Sequence, residues 1–299
     1  MANLPKVIAI VGPTSSGKTA LGVALARKYN GEIVSADSRQ IYRGMDIGTA
    51  KATEHEMRGV PHHLLGITSP KRTFTVAEYR TRGIKALNQI IAKEKLPIVV
   101  GGTGFYIDAL FSDMFPDVKP NPKLRKTLDA LPVKTLFAIL KKKDPRRAKT
   151  IDPANKRRLV RALEIIAATG KPIPSRPIDK NKYDILFLGL RPNARILHKR
   201  IHDRLALQLR HGMIAEVRRL HEKDGVSWKR LDDLGLEYRY VSRYLRHLLT
   251  KQEMIAQLET EVRRYAKRQM TWFKKNKEIR WIAKPGEAEK MVEEFLKTN

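Results

Sequence analysis

The chain contains no cysteine among its 299 residues. Disulfides, thiolate metal sites and thiol nucleophiles are therefore excluded, and the composition fits a reducing compartment. No stretch approaches the roughly 18 consecutive apolar residues that a transmembrane helix needs. The residues before the first predicted strand also lack the apolar run of a signal peptide. We therefore expect a cytoplasmic protein with no membrane partner.

Acidic residues are scarce beside basic ones: 31 Asp and Glu stand against 60 Lys and Arg, a formal net charge of +29. The excess is uneven. Residues 1–113 carry 15 basic and 9 acidic residues, a net charge of +6, whereas residues 114–299 carry 45 and 22, a net charge of +23. A surface of one sign attracts polyanions, most often nucleic acid. The alternatives are a merely basic globular protein and one that binds acidic lipid, although no amphipathic anchor is evident.

Short apolar runs alternate with helical patterns in the first hundred residues. Val7–Val11, Glu32–Ala36 and Pro97–Val100 are predicted to be strands. The stretch after Lys18 and the segment Val76–Ala92 are predicted to be helices. This alternation indicates an α/β fold with a parallel sheet flanked by helices.

The pattern changes after about residue 115, where prolines and lysines punctuate mostly helical patches. A helix is predicted at Ala154–Thr169, and strand character returns at Ile185–Leu190. We therefore predict a core built from residues 1–114 and 184–299, with a helical insertion at 115–183. Three further helical stretches are predicted in the C-terminal part of the core: Asn193–Glu222, Asp232–Leu249 and Lys251–Lys275.

A complete G-x-x-x-x-G-K-[ST] motif lies between the first predicted strand and the first predicted helix. It consists of Gly12, Pro13, Thr14, Ser15, Ser16, Gly17, Lys18 and Thr19. This is the P-loop, the nucleotide-binding motif of ATP-binding proteins, in which backbone N–H groups surround phosphate oxygens. Lys18 adds a positive charge, and Thr19 can bind Mg²⁺ through its hydroxyl. The flanking strand and helix argue against a chance match in a turn.

In a P-loop ATPase, an acidic residue at the end of a second apolar strand usually organises the metal and the water. This chain has no acidic residue at that place. The strand Pro97–Val100 runs instead into Gly101-Gly102-Thr103-Gly104. The acid is Asp37, directly after the strand Glu32–Ala36. Because the carboxyl ends of parallel strands form one crevice, the P-loop, Asp37 and Gly101 are predicted to converge. Alone, Asp37 could be only a turn former or a helix cap; the convergence favours a functional role.

Seven further segments form a recognisable series with the P-loop. They are Ser35–Tyr42 (SADSRQIY), Asp46–Lys51 (DIGTAK), Pro61–Leu64 (PHHL), Gly101–Tyr106 (GGTGFY), Arg157–Glu164 (RRLVRALE), Arg195–Val217 and Lys267–Phe273 (KRQMTWF). Together they resemble the tRNA dimethylallyltransferases, also called tRNA isopentenyltransferases, in order along nearly the whole chain. One departure is Gly235-Leu236-Glu237-Tyr238, where the family more often has Gly-Tyr-Lys/Arg-Glu.

The resemblance implies a P-loop, nucleotide-kinase-like core and a transferase that uses Mg²⁺. The donor would be dimethylallyl diphosphate, and the acceptor the N6 amine of adenosine 37, beside the anticodon of tRNA. Lys18, the loop N–H groups, Mg²⁺ at Thr19 and Arg204 would stabilise the departing diphosphate. Asp37 would accept the N6 proton, and Thr103 would lie near the adenine or its ribose.

The expected partner is the anticodon stem-loop of tRNA, bound by a monomer. The residues predicted to contact it are Asp37, Ser38, Arg39, Gln40 and Thr103 in the crevice and Arg157, Arg158, Leu159, Val160 and Arg161 in the insertion. The ordinary alternative for the three arginines is a solvated helix face. His62 and His63 have no spaced partner of ligand type, so we predict a structural role for them rather than metal binding.

Three other functions stay open from the sequence. A prenyltransferase acting on free adenine nucleotide would share the crevice but need little basic surface. A small-molecule P-loop kinase would phosphorylate from ATP and lack affinity for RNA. A non-catalytic RNA-binding protein would need neither the intact P-loop nor Asp37.

Overall fold

The computed structural model describes residues 4–112, 118, 120–173, 182–284 and 286–298. The strands in these residues are β1 Lys6–Val11, β2 Gly31–Ser35, β3 His62–His63, β4 Leu96–Gly101, β5 Asp184–Leu190 and β6 Arg280–Ile282. The helices are α1 Lys18–Lys28, α2 Glu54–Met57, α3 Val76–Ile91, α4 Gly104–Phe111, α5 Pro122–Ala130, α6 Val133–Lys143, α7 Pro145–Ala148, α8 Lys156–Thr169, α9 Ala194–Arg210, α10 Met213–Glu222, α11 Trp228–Leu234, α12 Leu236–Leu245, α13 Lys251–Phe273 and α14 Glu287–Lys297.

The chain divides into two compact units. The first, the α/β unit, contains Met1–Leu110 and Lys180–Asn299, and the second, the helical unit, contains Phe111–Asp179. These bounds lie close to the predicted ones at residues 115 and 183.

The α/β unit is built on one six-stranded sheet in the order β3-β2-β4-β1-β5-β6. All its paired strands are parallel, as the sequence predicted. In the centre, Ile8 of β1 lies opposite Ile98 of β4 and Leu186 of β5. Parallel strands covered on both faces read as nearly continuous apolar runs, which explains the sequences of β1 and β4.

The sheet packs against helices through side chains that alternate along the strands. Ile8 and Ile10 of β1 share a core cluster with Val23 and Leu25 of α1 and with Val292 of α14. The helix α3 packs against β2 and β4. Its first turn is fixed by a capping box, in which the side chains of the N-cap threonine and the N3 glutamate each accept a backbone N–H of the other residue.

The carboxyl ends of three neighbouring strands place the predicted motifs side by side. Val11 at the end of β1 pairs with Gly101 of β4, and Ser35 at the end of β2 pairs with Val100. The P-loop, the loop that contains Asp37 and the glycine-rich loop after β4 therefore leave the same edge of the sheet. This arrangement of the strands confirms the predicted convergence.

The C-terminal helices differ from the three predicted stretches in where the chain breaks. The stretch 193–222 is two helices, because Gly212 adopts a left-handed backbone (φ 93°) and begins α10. Residues 228–245 likewise form α11 and α12, which meet at Gly235 (φ 77°). The predicted third stretch corresponds to α13. Among the described helices, none is long and apolar enough to cross a membrane.

The helical unit contains α5 to α8 and has its own core. Leu136 and Leu140 of α6 pack with Leu159 and Leu163 of α8. The predicted helix Ala154–Thr169 begins two residues later, at Lys156, because the Asn155 side chain caps it by accepting the N–H of Arg158.

A buried carboxylate holds α5 to α8. Glu164 of α8 accepts a hydrogen bond from the N–H of Asn121 and is paired with Arg125 and Arg161. Although burial opposes it, these groups lower the pKa of Glu164 to about 2. Glu164 is therefore a charged, structural residue.

Candidate active site

The P-loop connects β1 to α1 and contains polar groups without partners. The hydroxyls of Ser15 and Ser16 are buried and have no hydrogen bond with any described residue. Lys18 Nζ donates instead to the carbonyl oxygen of Pro13, at 2.6 Å, within the loop itself. Unpaired buried hydroxyls are rare and indicate a ligand that supplies the missing partner. An anion with several oxygens, such as a diphosphate, fits this loop.

Two cations from other elements lie beside the P-loop. Arg204 of α9 donates from Nη1 to Thr14 Oγ1 at 2.8 Å, and from Nη2 to the carbonyl oxygen of Thr49 at 3.4 Å. Arg200, one turn earlier, reaches the carbonyl oxygen of Ser16 at 3.4 Å. The structure thus brings Arg204 to the loop, where the resemblance to the family had placed it.

Burial changes the acidity of the P-loop lysine. Desolvation lowers the pKa of Lys18 to about 8, with the positive charge of Arg204 acting in the same direction and Asp37 acting against it. A bound polyanion would favour the charged ammonium and raise this pKa again. Binding of an anion is therefore coupled to the protonation of Lys18.

Asp37 forms a turn and also lines the cleft. Its Oδ1 accepts the backbone N–H groups of Arg39 and Gln40, at 2.8 and 3.3 Å. Its Oδ2 makes no hydrogen bond within the described part of the chain. The two interpretations of Asp37 are therefore compatible, because one carboxylate oxygen fixes the turn and the other is left for a ligand.

Thr103 lies between the Asp37 loop and α13. Its hydroxyl accepts the N–H of Ser38 at 3.1 Å and donates to the Ser38 hydroxyl at 3.4 Å, and Tyr265 of α13 lies beside it. Burial raises the pKa of Tyr265 to about 12, so its phenol stays neutral. The side chain of Gln40 faces away from this contact and donates to the carbonyl oxygens of Thr49 and Ala50.

The glycines after β4 allow α13 to approach the loops closely. A Cβ added to Gly102 would lie 2.3 Å from Gln269 Nε2, and one added to Gly104 would lie 2.2 Å from Trp272 Cδ1. Gln269 uses this closeness: its Oε1 accepts the N–H of Thr14 at 2.8 Å, and its Nε2 donates to the carbonyl oxygen of Gly102 at 2.8 Å. One side chain thus fixes the P-loop relative to the glycine-rich loop.

A second buried residue supports the opposite wall of the cleft. Glu216 of α10 accepts the backbone N–H groups of Asp46, Ile47 and Gly48 at 2.7 to 3.0 Å, and the hydroxyl of Tyr238 at 2.8 Å. Gln208 of α9 donates to two carbonyl oxygens of the same segment. Because Thr49 follows directly, this network also positions the carbonyl that Arg204 contacts.

These elements enclose a cleft of about 610 Å³ at the carboxyl edge of the sheet. Its lining brings together Thr14–Thr19, Asp37–Gln40, Gly101–Gly102, Arg204, Glu237, Tyr240, Tyr265 and Arg268. The lining combines the cations Lys18 and Arg204 with the carboxylates of Asp37 and Glu237, and Asp37 and Arg204 each lie close enough to act on the charge of Lys18. The cleft can therefore hold a phosphorylated donor next to a group that gives up a proton.

The comparison with protein families decides the assignment of the chain. A family model described as IPP transferase matches residues 40–276. The chain belongs to the IPP transferase family. The tRNA dimethylallyltransferase of Anoxybacillus flavithermus is 39% identical over 281 residues, and that of Pelotomaculum thermopropionicum is 41% identical over 283 residues. These alignments cover 93% and 92% of this chain and 90% of each relative.

Solved structures of the family have the same fold. The full-length tRNA isopentenylpyrophosphate transferase of Bacillus halodurans matches with a TM-score of 0.72 and 37% identity, over 97% of this chain and 95% of that one. A eukaryotic dimethylallyltransferase, studied in crystals while acting on tRNA, matches with a TM-score of 0.78 and 30% identity. That match covers 90% of this chain and 69% of the eukaryotic one.

In this member of the IPP transferase family, the structure of the helical unit contradicts part of the predicted set of RNA-binding residues. Leu159 and Val160 are buried in the core of the unit, so their side chains pack and do not face a ligand. Arg161 is held by Glu164 and by the carbonyl oxygen of Val118. Arg157 and Arg158 are exposed, and their side chains have no partner among the described residues. They are the two arginines that remain available.

The sequence interpretation missed Gln269 and Glu216 as site-building residues. Gln269 could have been noticed as the polar member of the buried stripe Leu258, Val262, Ala266 and Phe273 on α13. Glu216 gave no such signal. Of the histidine pair, His63 pairs with the buried Glu32, as a structural role requires, whereas His62 donates to the carbonyl oxygen of Val60, lines the cleft and has no partner for its buried Nε2 among the described residues. Within the described residues, no group of three or more metal-binding side chains occurs.

Proposed function

We propose that this enzyme transfers a dimethylallyl group from dimethylallyl diphosphate to the N6 amine of adenosine 37 in tRNA, beside the anticodon, and releases diphosphate. The observation that carries the proposal is the cleft itself. It joins a P-loop with unpaired hydroxyls to Asp37, whose Oδ2 has no partner among the described residues. The names of the relatives support the choice of prenyl group and of tRNA.

The diphosphate of the donor lies at the P-loop end of the cleft. Lys18 exchanges the Pro13 carbonyl for a phosphate oxygen, and the hydroxyls of Ser15 and Ser16 gain an acceptor. Arg204 contributes a second positive charge from α9. These groups stabilise negative charge that grows on the leaving group as the carbon–oxygen bond breaks.

Mg²⁺ fits the same end of the cleft. The Thr19 side chain is exposed at the first turn of α1, lines the cleft and makes no hydrogen bond with any described residue. A hydroxyl, phosphate oxygens and water form the oxygen set that Mg²⁺ takes in phosphate sites. When bound, the ion would neutralise part of the charge of the diphosphate.

The acceptor adenine lies beside Asp37. The N6 lone pair is delocalised into the ring and is a weak nucleophile, so positioning carries much of the catalytic effect. Asp37 Oδ2 accepts the N6 proton while the new nitrogen–carbon bond forms. The Thr103 hydroxyl, fixed by Ser38, orients the base or its ribose.

The RNA partner accounts for the charge of the chain. An unpaired loop base can be turned out of its stack at low cost, which suits an anticodon loop. Ser38, Arg39 and Gln40 follow Asp37 directly and contact the nucleotides next to the target in this proposal, Gln40 through the groups that its bonds to Thr49 and Ala50 leave free. In the helical unit, Arg157 and Arg158 supply exposed charge for the phosphate backbone. The enzyme acts as a monomer in this proposal.

The test uses labelled dimethylallyl diphosphate with Mg²⁺ and three acceptors in parallel. These are an anticodon stem-loop with adenosine 37, the same loop without that adenosine, and AMP. We expect label only on the first. Label on AMP would show that the enzyme prenylates free nucleotides. Absence of label on every acceptor would favour a small-molecule kinase or a non-catalytic RNA-binding protein instead.

A further inference from the structure

One buried carboxylate in the cleft has no part in the mechanism above. The side chain of Glu237 lines the cleft, and the residue is only 8% exposed. Apart from its own backbone N–H, no donor reaches its carboxylate in the described part of the chain. Burial raises the pKa of Glu237, because a desolvated carboxylate without a partner is unfavourable. Such a group costs stability unless a ligand completes it.

The residues on both sides of Glu237 constrain its backbone, and this constraint directs its side chain into the cleft. Tyr238, the next residue, is buried and donates to Glu216 at 2.8 Å. Leu236, the preceding residue, has a left-handed backbone (φ 43°), which residues other than glycine rarely adopt. The turn into α12 thus holds Glu237 in place between two constrained neighbours.

The charged groups around Glu237 limit the kinds of ligand that its carboxylate can bind. A carboxylate repels the diphosphate of the donor, and a dimethylallyl group has no hydrogen-bond donor. Arg204 lies nearby and disfavours a second cation. No group of three metal-binding side chains occurs in the described residues. The hydrogen-bond donors of the RNA remain, and the amino groups on base edges are among them.

We propose that Glu237 is a substrate-binding residue that accepts a hydrogen bond from an exocyclic amino group of a nucleobase in the RNA loop. The inference rests on the proposed function, because it requires RNA in this cleft. The amino group belongs either to the target adenine, whose N6 carries a second hydrogen, or to a base next to it. In both cases Glu237 contributes to base selection.

The test combines two variants with four RNAs. E237M removes the carboxylate at similar side-chain length, and E222M makes the same change at an exposed glutamate at the end of α10. The parent stem-loop carries adenosine at the target position and on both sides of it. In the other three RNAs, one of these adenosines is replaced by purine riboside, which lacks the amino group. Affinities are measured without donor, and thermal unfolding is measured in parallel.

We expect E237M to bind the parent loop about tenfold more weakly than the wild type, the effect of losing a hydrogen bond to a charged group. On one of the substituted loops, both proteins should bind equally well, and that loop identifies the base. E237M should unfold at the same or a higher temperature, because it removes a carboxylate without a partner. E222M should match the wild type.

Three results would overturn the assignment of Glu237. They are unchanged affinity of E237M for the parent loop, an equal loss on all four loops, and a lower unfolding temperature. The proposed function is judged separately, by label transfer to the parent loop by the wild type. If the wild type transfers label and E237M binds normally, only the role of Glu237 fails.

Discussion

Two regions of the α/β unit treat buried polar groups in opposite ways. In the framework that holds the loops of the cleft together, Glu216 accepts four hydrogen bonds from behind the cleft, and Gln269, which also lines the cleft, makes two. On the cleft surface, Ser16 Oγ and Asp37 Oδ2 have no partner among the described residues, and the Glu237 carboxylate has only its own backbone N–H. Glu216 and Glu237 are the same residue type, so what separates them is the supply of donors. A satisfied group fixes the structure, and an unsatisfied one is kept for a ligand.

The largest effect is expected on the cleft surface, from D37N. Asparagine keeps the Oδ1 acceptor that forms the turn but cannot take the N6 proton. We expect prenyl transfer to fall by about 10²–10⁴-fold, the usual range for loss of a general base. The unfolding temperature should stay within error of the wild type, and affinity for the stem-loop should fall by no more than about tenfold, the effect of losing one hydrogen bond to a charged group. Full activity in D37N would remove Asp37 from the mechanism.

In the framework, the corresponding change is E216A. It leaves three backbone N–H groups and the Tyr238 hydroxyl without an acceptor. By analogy with breaking a buried charged pair, we expect the free energy of unfolding to fall by about 3–5 kcal/mol, measured by urea denaturation. E222A, at an exposed position, is the matched control. A fall in activity with unchanged stability would mean that Glu216 belongs to the cleft surface instead.

The lowered pKa of Lys18 predicts that anion binding in the cleft depends on pH. Its pKa of about 8 in the free enzyme lies below the pKa expected when a diphosphate is bound, so the charge that binding requires is present below pH 8. Above pH 8, affinity for pyrophosphate should fall with each pH unit, and the loss should approach about tenfold per unit. The fall ends when the pH reaches the pKa that Lys18 has in the complex. K18R stays charged and should show a flatter profile, which separates this effect from titration of pyrophosphate itself. Identical profiles would contradict the lowered pKa.

The smallest effect is expected outside the α/β unit, from the double variant R157Q/R158Q. Affinity for the stem-loop should drop by about three- to tenfold. The slope of log affinity against log salt concentration should become shallower by the contribution of up to about two phosphate contacts. The KM for dimethylallyl diphosphate should not change. K290Q removes an exposed charge from α14 and serves as the control. An unchanged salt dependence in the double variant would mean that these arginines are only a solvated face.

The predictable part of the molecule is the part encoded locally. The P-loop, Asp37 and the Gly101 loop could be placed together from sequence, because each follows an apolar strand and parallel strands end at one edge. Leu159 and Val160 were misjudged because they lie within a basic segment, although the helical spacing turns them toward the core.

Gln269, Glu216 and Glu237 could not be predicted in the same way. They reach the cleft from helices that follow the P-loop by about two hundred residues or more, and only tertiary packing brings them there. The strands β3 and β6 are too short to leave a periodic pattern. The helix α14 did leave one, in Ala288, Met291, Val292 and Phe295, and the sequence interpretation overlooked it.

The most direct test of the contrast between framework and cleft surface is a crystal structure with an anticodon stem-loop, Mg²⁺ and an unreactive thio analogue of dimethylallyl diphosphate. We expect the Ser16 hydroxyl and Lys18 to contact the diphosphate, Asp37 Oδ2 to lie within hydrogen-bond distance of N6 of adenosine 37, and Glu216 and Gln269 to keep their present partners. A complex in which the ligands bind elsewhere, with these cleft groups still unpaired, would contradict the account.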